Sequence, residues 1–108
     1  MILYRTVQKQ AEAEQIIEDN YGDLDLSGRK DITELPDNLT VWGHTRLTGT
    51  NITSLPDNFT AEGGLDIHST NITSLPDSLT VGSILNLRNT KIRRIPAEVV
   101  VNGDILIN

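Results

Sequence analysis

Prolines stand at Pro36, Pro56, Pro76 and Pro96, and this period of twenty residues constrains the fold more than any other feature of the chain. Around them the text nearly repeats itself: NITSLPDNFT from Asn51 returns as NITSLPDSLT from Asn71 with two positions changed. Fixed self-similarity at this spacing is the signature of a stacked repeat architecture. Counted from each proline, the preceding residue is Leu35, Leu55, Leu75 or Ile95, and the residue four before is Ile32, Ile52, Ile72 or Ile92. Three after the proline come Leu39, Phe59, Leu79 and Val99, and five after come Val41, Ala61, Val81 and Val101. Four apolar columns therefore run through the array.

Upstream of each proline lies a short alternating segment: Leu24 and Leu26, Thr45 and Leu47, Leu65 and Ile67, Leu85 and Leu87, with Ile105 and Ile107 as a fifth copy. Alternation at period two predicts a strand. One such strand cannot bury its apolar face alone, whereas identical strands stacked in parallel at about 4.8 Å share an interior. The first coil carries one extra residue, which places a bulge at Gly28–Lys30.

These residues resemble the leucine-rich repeat. LTGTNITSLP, IHSTNITSLP and LRNTKIRRIP are similar to its short twenty-residue form of bacterial LPX type, and the likeness covers roughly residues 22–108. The pattern departs from the family where asparagine usually follows the strand: this chain has Thr50, Thr70 and Thr90, with Arg29 in the first coil. The resemblance implies an asparagine-like ladder between adjacent coils, here made by threonine hydroxyls. It also implies an α/β repeat: a right-handed solenoid of about four to five coils with one short-stranded parallel sheet. The chain divides into an N-terminal capping helix over 1–21 and the solenoid over 22–108, a single structural domain. The helix reading rests on TVQKQAEAEQIIEDN, rich in helix formers and followed by Tyr21–Gly22. Laid across the first coil, it would cover an exposed strand edge.

Composition narrows the function classes. With no cysteine among 108 residues there is neither a disulfide framework nor a thiolate zinc site. Nothing resembles a signal peptide or a long apolar span, which predicts a soluble, cytoplasmic protein. The net charge of −6 opposes long-range attraction to nucleic acid or an anionic membrane. Nor do a nucleophile, a base and a stabilising group converge in the motifs, so the expectation is a protein that is not an enzyme and has no cofactor.

The outward positions of the predicted sheet are the candidate site. Asp25, Arg46, Asp66, Asn86 and Leu106 stack one per coil; the next outward column holds Ser27, Thr48, His68, Arg88 and Asn108; a third holds Asp23, His44, Gly64, Ile84 and Asp104. Variation on a rigid face suits recognition. Asp25, Arg46 and Asp66 also fit a solvated charge ladder, and both readings stay open. Trp42, the only tryptophan, is either an exposed anchor or a cover for the neighbouring turn. His44, His68 and Asp66 sit in different columns, so no metal is expected. For the row Asp37, Asp57 and Asp77, caps on each residue's own turn are favoured over a bridging calcium ion.

The expected function is thus a noncatalytic protein–protein interaction module, an inhibitor or adaptor of bacterial or phage type by resemblance. Its partner-binding residues are Asp25, Arg46, Asp66, His68, Asn86, Arg88 and Trp42, and it binds neither nucleic acid nor membrane. The alternative is a structural element that self-associates, as a homodimer, through an open C-terminal edge at Ile105, Leu106 and Ile107.

Overall fold

In the computed structural model, residues 22–107 are described. They form a parallel β-solenoid of about four turns with two sheets. The first sheet stacks β1 (Leu24–Asp25), β3 (Thr45–Arg46), β5 (Leu65–Asp66), β7 (Leu85–Asn86) and β9 (Ile105–Leu106) in that order. The second stacks β2 (Thr40–Val41), β4 (Thr60–Ala61), β6 (Thr80–Val81) and β8 (Val100–Val101). Every neighbouring pair is parallel; β1 meets β3 at a twenty-one-residue offset, as the extra residue of the first coil requires, and all the others keep the twenty-residue period, so Arg46 faces Asp66 and Asp66 faces Asn86.

This corrects the expected α/β repeat with one sheet and a capping helix. No helix occurs among the described residues, and the helix expected over 1–21 lies outside them. The second wall is itself a strand because Leu39–Thr40–Val41, Phe59–Thr60–Ala61 and Leu79–Thr80–Val81 alternate apolar and hydroxyl residues at period two. Their apolar members are buried and the intervening threonines face outward. Among the described residues no helix is long and apolar enough to cross a membrane.

The apolar columns meet between the sheets in one continuous core, with Phe59 as the largest fully buried side chain. Both parallel ladders continue beyond the paired residues, as from the Leu24 amide to the His44 carbonyl (2.8 Å) and from Leu47 to Asp66 (3.0 Å) in the first sheet, and from Thr60 to Leu39 (3.0 Å) and Glu62 to Val41 (2.9 Å) in the second.

Two turns close each coil. After the first sheet, Gly28, Gly49, Ser69 and Asn89 all adopt positive φ, between 55° and 79°. The next residue in coils two to four is a buried threonine whose hydroxyl donates to the carbonyl three residues earlier: Thr50 to Leu47 (2.7 Å), Thr70 to Ile67 (2.8 Å) and Thr90 to Leu87 (2.7 Å). The expected ladder between coils is therefore replaced by a lock within each coil, because the hydroxyl is too short to reach past its own turn.

At the other corner, backbones of successive coils touch. The Gly63 amide donates to the Gly43 carbonyl (3.0 Å), and a Cβ on Gly63 would fall 2.5 Å from that carbonyl group. In the third coil the glycine moves one place earlier, to Gly82, where a Cβ would lie 2.2 Å from the Glu62 oxygen.

Candidate functional site

On the outer face of the five-stranded sheet, three of the five residues in the central column perform the same local task. The carboxylates of Asp25 and Asp66 and the carboxamide oxygen of Asn86 accept the amides two residues on, from Ser27 (3.0 Å), His68 (3.2 Å) and Arg88 (3.1 Å). Such Asx turns fix the chain as it leaves the strand. Hydroxyl and amide donation from Ser27 holds the Asp25 carboxyl below the usual carboxylate range, and the Arg46 charge adds a smaller effect.

Arg46 breaks the column, since guanidinium has no acceptor with which to cap an amide. The charge ladder is not formed as contacts: Arg29 pairs with Asp31 and the Asp66 carboxylate meets the His68 ring, while Arg46 joins neither Asp25 nor Asp66. Asp66 is drawn instead to His68, whose Nδ1 meets both the Asp66 carboxylate and the Thr48 hydroxyl, the latter at 3.0 Å. Acid and hydroxyl thus share one ring nitrogen. An acid–imidazole–hydroxyl relay needs the two on opposite nitrogens, so this trio does not activate Thr48.

The face is hollowed at its centre. A concavity of about 200 Å³ is lined by His44, Arg46, Asp66, Ile84, Asn86 and Leu106, with Gly64 beneath. Gly64 has φ +119°, and a Cβ there would sit 3.2 Å from the Ile84 carbonyl oxygen and 3.5 Å from His44 Nδ1. The hollow exists because a side chain is missing between two bulky neighbours in the same column. Ile84 remains 45% exposed at its rim.

Of the sequence-predicted residues, the structure brings Arg46, Asp66 and Asn86 into this hollow. It leaves Asp25, His68 and Arg88 on the surrounding face, and places Trp42 at the corner between β2 and β3, 73% exposed. It also divides the trio expected to self-associate. Leu106 joins the sheet face, whereas Ile105 and Ile107 continue the core columns. His44, Gly64 and Ile84 stood in the third outward column but were not among the expected partner-binding residues. Their signal in the sequence is a glycine flanked at twenty residues on either side by bulky residues.

At the last described coil the core columns come to the surface. Ile95, Ile105 and Ile107 are 37%, 39% and 66% exposed, where the residues before them in the same columns are buried. A second groove there, about 520 Å³, is lined by Leu87, Ile92, Arg93, Arg94, Ile95 and Ile107. The aspartate row forms neither a calcium site nor caps on its own turns: Asp37 accepts the Asp57 amide of the next coil (3.1 Å), and Asn58 donates to Asn38 (2.9 Å). Among the described residues no group of three or more His, Asp or Glu side chains is placed to hold a metal ion.

No protein-family model, no curated protein and no solved structure matches the chain.

Proposed function

We propose that this protein is a noncatalytic protein-binding module that uses the outer face of its five-stranded sheet. The observation that carries the reading is the hollow around Gly64, where a cation, a carboxylate, an imidazole, an amide and two aliphatic side chains meet on a doubly walled, in-register scaffold. Rigid strands hold such groups at fixed spacing, so binding orders little of the chain. Mixed apolar and polar lining suits a protein surface, and the volume is below the range usual for small-molecule and cofactor sites. The net charge of −6 speaks against nucleic acid. The test is the double reversal R46E/R88E: both side chains are exposed, so melting should be unchanged while binding of the physiological partner weakens. Normal binding by the variant would move the site off this face.

The exposure of Ile105 and Ile107 favours a second reading, self-association through β9, for a molecule of these 108 residues. Light scattering across a dilution series tests it. A mass that rises with concentration in wild type but stays at the monomer value in Ile107→Lys supports it, and a persistent wild-type monomer removes it.

A further inference from the structure

Resting on the reading of the sheet face as the binding surface, we propose that the hollow recognises an acidic–aliphatic pair on the partner: a carboxylate received by Arg46, next to a Leu, Ile or Val side chain packed on Ile84 and Leu106. Arg46 is the only cation in the central column, and among the described residues its guanidinium makes no ion pair or side-chain hydrogen bond. The two carboxylates nearest it in the column are engaged elsewhere, Asp25 by Ser27 and Asp66 by the His68 amide and ring. A planar fork of donors with no internal partner is suited to bidentate capture of a carboxylate.

The neighbours add to this preference. His44 is exposed on the same hollow, and the Asn86 oxygen is spent on the Arg88 amide, which leaves its NH₂ to donate outward. Asp66 is the one group of opposite sign in the lining, and its carboxylate is turned to the amide and ring of His68. Ile84 and Leu106 then supply the apolar part of the same hollow, two and three strands along the sheet from Arg46. A hollow of about 200 Å³ takes one or two side chains.

The experiment selects dodecapeptides from a random display library on the full chain, then titrates the synthetic winners into 15N-labelled protein. The expected winners share Asp or Glu within two residues of Leu, Ile or Val, and shift the amide signals of 44–46, 64–66 and 84–86. Exchanging the peptide's acid for its amide, or making R46E, should weaken binding about tenfold or more, the loss of one charge-assisted pair. Ile84→Ser should weaken it several-fold. Winners that shift these amides but bind R46E undiminished would overturn the carboxylate assignment while leaving the face as the site. Winners that shift other surfaces, or no enrichment at all, would overturn both. Tighter binding of an oligothymidylate at the same amides, lost in R46E, would put phosphate in place of the peptide and also overturn the assignment.

Discussion

At the scale of single residues, the same side chain does opposite work at different places, and the same substitution should therefore change sign. Thr45 occupies a core column and its buried hydroxyl has no hydrogen-bond partner among the described residues. Thr45→Val removes an unsatisfied polar atom at nearly constant shape and should raise stability by about 1 kcal/mol. Thr70 is equally hidden but its hydroxyl holds the Ile67 carbonyl, so Thr70→Val should cost about 1–2 kcal/mol. Chemical denaturation of both variants checks the pair, and equal signs would refute the assignment. Asp25 offers a test by pH. Its folded carboxyl titrates below the unfolded one, so it contributes stability above about pH 4 that is lost as pH falls through the lower folded value. Asp25→Asn should keep the turn, as Asn86 does naturally, and flatten the acid limb of the stability profile. Asp25→Ala should lose that turn hydrogen bond, about 0.5–1.5 kcal/mol at neutral pH. None of this was legible in the sequence, because an outward Asp reads alike whether it caps an amide, pairs with Arg46 or meets a partner.

At the scale of the coil, the period and the apolar columns were legible because each inward position recurs four times, and Leu35, Leu55 and Leu75 are indeed buried. Leu75→Ala should accordingly cost about 2–5 kcal/mol, and a loss under half a kcal/mol in calorimetry would contradict the inward assignment. The second sheet was not legible. Two apolar residues flanking one threonine fit a loop as well as a strand, and only the repetition of Thr40, Thr60 and Thr80 in register turns them into a ladder. The glycine corner was missed for a different reason: its place slips from Gly63 to Gly82 between coils, which breaks the column. Close approach of backbones enforces it there. Gly63→Ala should destabilise strongly, because the added methyl meets fixed backbone at 2.5 Å, while Ser83→Ala in the same column should be nearly silent, a Cβ being present already. Thermal melts of the two variants distinguish this from a general intolerance of the turn.

At the scale of the whole molecule, two parallel walls give the solenoid a variable outer face and a more uniform one. The more uniform face presents Thr40, Thr60 and Thr80, followed by Val100; the variable face presents Arg46, Asp66, Asn86 and Leu106 from strands in register. Which face varies was readable from the columns alone, but the hollow was not, because it arises from the absence of a side chain at Gly64 between His44 and Ile84. The local Asx turns account for Asp25, Asp66 and Asn86, which leaves Arg46 and Leu106 as the residues of the column that the turns do not explain. Recognition through this face is the central claim. It is tested most directly by passing a lysate of the native host over immobilised wild-type chain and over an R46E/R88E variant of matched melting temperature, then titrating any retained protein in purified form. The account predicts a protein held by wild type and bound at least about tenfold more weakly by the variant; equal affinity for the two would contradict it.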